Sequence, residues 1–152
     1  MDKKIKILFT VIVLVCLIFS IYSFIGRTGV TGHEENHTNA TIMENGSYIK
    51  EMDVAEYIDT YHKLPHNYIS KKNAYKLGWR GGPVDKYAPG KSIGGDVFTN
   101  EQGVLPRGEK YIECDINNNG SNPRNAERIV FSINDYDIYY TNNHYKSFTE
   151  LT

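Results

Sequence analysis

Apolar positions follow three different rhythms along this chain. Ile7 to Ile25, "ILFTVIVLVCLIFSIYSFI", is an uncharged and almost continuously apolar run of 19 residues. Apolar residues then become scarce until Tyr48. From Glu51 to Tyr61 they return at helical spacing, as Val54, Tyr57, Ile58 and Tyr61, with acidic residues near the start. "HKLPHNY" breaks the chain at Pro65. Ser70 then caps a short helix through Leu77 that ends at Gly78. "GGPVDKYAPG" leaves room for at most one further helical turn. After Gly95 the rhythm is that of strands: "DVFTN", "YIECDIN", "RIVFSIN", "YDIYYTNNHY" and "SFTEL", separated by the turn-forming "EQG", "NNNGSNP" and "NDY". Helices first and consecutive short strands afterwards predict an α+β fold, with helices packed on an antiparallel sheet.

Within "YIECDIN", alternation places Ile112, Cys114 and Ile116 on a core face. Tyr111, Glu113, Asp115 and Asn117 fall on the other face. Two carboxylates side by side on that face are either part of a solvated surface or the start of acid–base chemistry.

Lys3, Lys4 and Lys6 precede the apolar run, and only Arg27 follows closely. The run exceeds the roughly 7–15 apolar residues of a cleavable signal and approaches the roughly 20 that span a bilayer. Residues 1–25 therefore read as a signal peptide or a signal anchor, with the N-terminus inside and the remainder outside. Secretion is the first expectation, and anchorage on the outer face of the cytoplasmic membrane is the alternative. Residues 26–47, rich in Gly, Thr, Asn and Glu, read as a flexible tether. The tether holds a match to H-E-x-x-H at His33, Glu34 and His37. No helical apolar stripe or third ligand supports it, so it is a chance match, and no metal site is expected. Three N-x-S/T triplets, at Asn36, Asn39 and Asn45, carry no weight without a glycosylating host.

Residues 48–152 form the working domain. Its 13 Lys and Arg against 14 Asp and Glu give −1, so no global basicity announces a nucleic-acid partner, and attraction to a polyanion must come from local clusters. With only Cys16 and Cys114 in the chain, an intramolecular disulfide is not expected. Twelve tyrosines suit strands and wet concave surfaces.

The segments "YIDTYHKLPHNYISK", "LGW", "APGKSIGGDVFTNEQGVLP", "IECDIN", "RNAERIVFS" and "IYYTNNHYKSFT" closely resemble the barnase-like bacterial extracellular ribonucleases, the guanyl-preferring microbial ribonuclease family. The resemblance covers roughly Ala55 to Leu151. It implies N-terminal helices against a five-stranded antiparallel sheet, a monomer, and endonucleolytic cleavage of single-stranded RNA, preferentially after guanine, with no metal or other cofactor. It also implies an acidic, barstar-like intracellular inhibitor as a partner beside the RNA substrate. By matching position, it places the general base on Glu113, the general acid on His144, and phosphate-binding cations on Lys71, Arg124 and Arg128. Substrate contacts fall on Thr99, Asn100, Gln102, Tyr111 and Tyr145. The membrane is engaged only through the N-terminal segment.

These residue types suit the reaction. A carboxylate can take the 2′-hydroxyl proton, an imidazole can protonate the departing 5′-oxygen, and guanidinium forks match phosphoryl oxygens in pairs. The recognition loop departs from the family: "FTNEQG" has Glu101 where an arginine is usual and Gln102 where a glutamate is usual. An amide can accept from guanine with only one atom, so base choice is expected to relax or turnover to fall. Asp115 is expected to serve structure. The rival reading is a catalytically weak or inactive exported module that binds RNA or another polyanion.

Overall fold

The computed structural model describes residues 41–151. The expected signal or anchor, the HExxH match and the tether up to residue 40 lie outside the described residues. Among the described residues no helix is long and apolar enough to cross a membrane.

The last residues of the expected tether belong to the domain, so the boundary moves from residue 48 to about 41. Ile42 is buried. Tyr57 and Tyr61 donate their hydroxyls to the carbonyls of Glu44 (2.7 Å) and Ile42 (2.9 Å). Composition hid this docking because backbone carbonyls, rather than apolar side chains, make most of the attachment.

Helix α1 spans Glu51–Tyr61 and ends at His62, whose left-handed backbone (φ 55°) closes the last turn through a bond to Ile58 O. After strand β1, Tyr68–Ile69, helix α2 runs from Lys71 to Lys76. Ser70 caps α2 by accepting from the Asn73 N–H. Then come β2 (Ser92–Phe98), β3 (Tyr111–Asp115), β4 (Arg128–Ser132), β5 (Ile138–Thr141) and β6 (Thr149–Glu150). The sheet order is β1-β2-β3-β4-β5-β6. All five expected strands are present. The sixth, β1, pairs parallel with β2 through Tyr68↔Ser92 and Ile69↔Ile93, so the sheet is six-stranded and mostly antiparallel instead of five-stranded. Two residues are too short a strand for alternation to reveal.

Helix α1 covers one face of the sheet. Val54, Ala55 and Ile58 pack on Cys114, Ile116, Ile129, Phe131 and Ile138. Each fully buried aliphatic side chain here contributes roughly 1.5–3 kcal/mol. A second cluster gathers Trp79 and Val84 around Ala74 of α2 and Ile93 of β2. The opposite face carries a third cluster, Leu105, Tyr111, Val130 and Tyr139. Consequently β4 is buried along its whole length.

One irregularity positions the site. The β2–β3 register shifts between Gly94, paired with Cys114, and Asp96, paired with Glu113, which leaves Gly95 as the bulged residue with φ 95°. Glycine adopts that backbone freely, and the bulge re-aims the strand that follows. Gly94 must also stay small: a Cβ there would lie 2.6 Å from the Cys114 Cβ.

Candidate active site

Strand β3 carries Glu113 and Asp115 on the face away from α1, but that face is not solvated. Glu113 is 6% exposed and Asp115 1%. Phe98, Tyr145 and Phe148 pack over the third core cluster, and this cover turns an apparent surface into an interior. Buried carboxylates need partners, and both have them.

Glu113 is held at each oxygen. The Lys71 ammonium donates to Oε1 at 2.6 Å, and the Tyr145 hydroxyl donates to Oε2 at 2.5 Å. Lys71 is placed by being the first residue of α2, with its own N–H bonded to Asp96 Oδ2 at 2.9 Å just past the bulge. The Tyr145 hydroxyl pKa is pushed well above the usual tyrosine value. Burial is the main cause and the Glu113 hydrogen bond and charge add to it, while Arg128 pulls the other way. The hydroxyl therefore stays protonated and donates.

Asp115 anchors both arginines. Arg124 binds it through Nε at 2.8 Å and Nη2 at 2.7 Å, the bidentate geometry a guanidinium prefers. Arg128 Nε lies 3.0 Å from Asp115 Oδ1. That distance makes an ion pair, yet the N–H is out of line for a hydrogen bond and has no acceptor among the described residues. Arg128 Nη1 donates to the carbonyls of Asn125 (2.9 Å) and Glu127 (2.6 Å). Burial lowers the Arg124 pKa, but its bonds to Asp115 and the nearby negative charges outweigh this and raise it overall.

His144 is exposed and stands beside Tyr145, with ring centroids 5.4 Å apart. Both residues adopt left-handed backbones, φ 60° and 68°. Such geometry costs on the order of 1–3 kcal/mol per non-glycine residue and persists only where surroundings enforce it. Here the His144 N–H bonds to Ala126 O at 3.2 Å, and the Tyr145 N–H bonds to Oγ1 of the buried Thr141 at 3.2 Å.

His144 and Tyr145 share a cavity of about 180 Å³ with Phe98, Thr99, Asn100, Glu101 and Gln102. Asn100 shapes that loop. Its side-chain amide donates to Leu105 O at 2.9 Å while its Oδ1 accepts from the Leu105 N–H at 3.1 Å. The side chain of Asn100 is thus committed within the loop, and its backbone carbonyl accepts from the Gly103 N–H at 2.9 Å.

The structure therefore brings Lys71, Glu113, Tyr145, Arg124 and Arg128 into one cluster, with His144 adjoining and Thr99, Asn100 and Gln102 on the same cavity. Tyr111 is the exception. It is 1% exposed, donates its hydroxyl to Pro106 O at 3.0 Å and packs edge-on to Phe98. A ring so enclosed supports the site from beneath and does not meet a substrate. Sequence reasoning missed Asp96, which orients Lys71, and it expected Asp115 to serve structure without naming the two arginines as its partners. The signal for Asp115 was its i+2 relation to Glu113 on the same strand face.

A fold of helices against an antiparallel sheet, with a carboxylate, an imidazole and three cations gathered at one face, defines a class of small domain built to handle anionic substrates. A family model described as ribonuclease matches residues 51–152, and the chain belongs to this family. Over 102 residues it is 49% identical to a ribonuclease of Bacillus intermedius and 49% identical to one of Bacillus pumilus. Each alignment covers 64% of this chain and 62% of the relative, so the chain spans less than two thirds of those proteins. A ribonuclease of Heyndrickxia coagulans is 48% identical over 102 residues, with 92% of its length covered.

Proposed function

We propose that this protein is an exported, metal-independent endoribonuclease that cleaves single-stranded RNA by transesterification. One observation supports the reading above others: Glu113, held by Lys71 and Tyr145, lies among Arg124 and Arg128, with His144 beside Tyr145. In the first step the Glu113 carboxylate takes the proton of the 2′-hydroxyl as its oxygen attacks the adjacent phosphorus. The bond to the 5′-oxygen breaks, and His144 protonates that leaving oxygen. The products are a 2′,3′-cyclic phosphate and a 5′-hydroxyl. In the second step the roles reverse: His144 takes a proton from water as its oxygen attacks phosphorus, the bond from phosphorus to the 2′-oxygen breaks, and Glu113 returns a proton to that 2′-oxygen, giving a 3′-phosphate. Charge that builds on the phosphoryl oxygens meets Lys71, Arg124 and Arg128. DNA, which lacks the 2′-hydroxyl, binds without being cut.

The cavity of Thr99, Asn100 and Gln102 is the base site in this reading, with a guanine preference weakened by Gln102 and by the negative charge of Glu101. Export through residues 1–25 would place the enzyme outside the cell, secreted or anchored. A barstar-like inhibitor inside the cell would protect the producer before export.

The decisive experiment compares the purified protein with Glu113→Ala and His144→Ala on RNA in the presence of chelator. Cleavage that resists chelator, leaves cyclic phosphate ends, and falls by about 10²–10⁴ in each variant is the expected result. Activity that needs added metal, or that survives in His144→Ala, overturns the mechanism.

A further inference from the structure

The charge of the domain is unevenly spread. Residues 71–91 hold six cations and one acid, Asp85, a net +5, whereas residues 48–152 together total −1. Within that segment Lys72, Lys76 and Arg80 are exposed and join no ion pair among the described residues. Aromatic surface lies among them. Tyr75 is 47% exposed, its inner side stacks on the buried Trp79 with centroids 5.3 Å apart, and the Arg80 guanidinium stands 5.8 Å from its ring centroid. Arg80 is itself fixed, because its Nη1 donates to the carbonyls of Tyr75 and Trp79 at 2.8 and 2.7 Å.

This patch is continuous with the active site. Lys71 reaches Glu113 from the first position of α2, and Tyr75 follows four residues later on the same side of the helix. The two residues are therefore anchored about 6 Å apart along the helix axis, four residues at about 1.5 Å each. A single nucleotide step spans a comparable distance.

We propose that Tyr75, backed by Trp79 and flanked by Arg80 and Lys76, is a subsite for a flanking nucleotide of the RNA strand, with the base on the tyrosine and phosphates on the cations. The proposal rests on the ribonuclease reading and extends its substrate from a dinucleotide to a longer single strand. Stacked aromatics with interleaved cations hold single strands without sequence preference. The subsite gives a near-neutral domain the local positive field that its overall charge lacks.

The test uses two substrates: a dinucleoside monophosphate, and an oligodeoxynucleotide of about twelve residues with one internal ribonucleotide, long enough to fill a single-strand site. Tyr75→Ala and the double variant Lys76→Glu/Arg80→Glu should cleave the dinucleotide as the parent protein does. On the oligonucleotide their KM should rise roughly five- to tenfold at unchanged kcat, the lower range for loss of one stacked base. The double variant should also flatten the logarithmic salt dependence by roughly 0.7 for each phosphate no longer neutralised. Equal losses on both substrates, or no loss on the oligonucleotide, overturn the subsite. So does wild-type binding to phosphatidylserine vesicles that is lost in the double variant while the oligonucleotide KM stays fixed, since the patch would then serve a membrane. If the parent protein cuts neither substrate, the ribonuclease reading fails, and the subsite is judged by binding alone. Trp79 is the only tryptophan of the chain, so its fluorescence reports an all-DNA strand on Tyr75 directly. The titration should weaken at least fivefold in the double variant, and an unchanged affinity overturns the proposal.

Discussion

Asp115 grips Arg124 with both carboxylate oxygens, at 2.7 and 2.8 Å, and the same carboxylate lies 3.0 Å from Arg128 Nε. Two guanidiniums that would repel each other are thereby fixed side by side within reach of Glu113. Asp115 is 1% exposed and Arg128 1%, so neither charge has water to fall back on. Asp115→Ala should destabilise the fold by about 3–5 kcal/mol, because it strands buried positive charge. Denaturant unfolding checks this, and a loss below about 1 kcal/mol would show that the pair is not the anchor described. Under the proposed mechanism cleavage should fall in the same variant even where it remains folded, since Arg124 and Arg128 lose their fixed geometry.

Tyr145 couples the two halves of the site: its hydroxyl bonds Glu113 at 2.5 Å and its ring abuts His144. Tyr145→Phe keeps the packing against Phe98 and removes the bond to the carboxylate. Loss of a hydrogen bond to a charged group costs about 1.5–3 kcal/mol, so kcat/KM should fall roughly 10- to 100-fold. As a positioning residue Tyr145 should move kcat more than KM, and a change confined to KM would assign it to binding alone.

Much of this arrangement was legible in the sequence, and the reason differs by element. Val54, Tyr57, Ile58 and Tyr61 sit at the helical period, and the observed helix has the expected limits, Glu51–Tyr61. The serine cap before Lys71 also reads directly, since an oxygen at Ser70 has one local N–H to accept from. Alternation separated Ile112 and Cys114 from Glu113 and Asp115 correctly. It could not tell that both faces are buried, because the cover comes from Phe98, Tyr145 and Phe148, which are 13 or more residues away in the chain. The same limit hid the pairing of Arg124 with Asp115 and the demotion of Tyr111 to a supporting role. Long-range cover leaves no periodic trace.

Burial raises the pKa values of Tyr68, Tyr140 and Tyr145 above the usual 10.0; hydrogen bonds to Glu127 and Glu113 add to the shift at Tyr140 and Tyr145. A group bound more tightly to its proton in the folded state contributes stability below its unfolded pKa and loses it as pH rises through the folded value. Stability should therefore hold up to about pH 10 and fall progressively above it as the unfolded chain sheds protons that the folded one retains. Phenolate absorbance should lag behind the exposed tyrosines and then develop in step with unfolding. Tyr145→Phe should make the alkaline decline shallower. A phenolate signal that appears in full while the protein remains folded contradicts the assignment of these hydroxyls as half-buried donors.

Glu101 is an exposed carboxylate on the cavity shared by Thr99, Asn100, Gln102 and His144. If RNA binds as proposed, its phosphodiester approaches a cavity whose lining includes this negative charge. Long-range repulsion acts mainly on association and is screened by salt. Glu101→Lys should therefore raise kcat/KM on RNA several-fold at low ionic strength, with most of the gain gone near physiological salt, where charges more than about 8 Å apart are largely screened. Its dependence on salt should steepen by roughly 0.7 in the logarithmic slope if the new ammonium contacts one phosphate. In the proposed reading base choice is a separate property, set at Gln102, whose amide offers one acceptor where a carboxylate would offer two. Gln102→Glu should sharpen cutting after guanine on a mixed RNA while adding a further repulsive charge, so selectivity rises as association slows. Sequencing the cleavage ends separates these effects. If Glu101→Lys alters the base at the cut but leaves the salt dependence alone, the charge at 101 acts on the bound base, and the repulsion argued here is not what limits the enzyme.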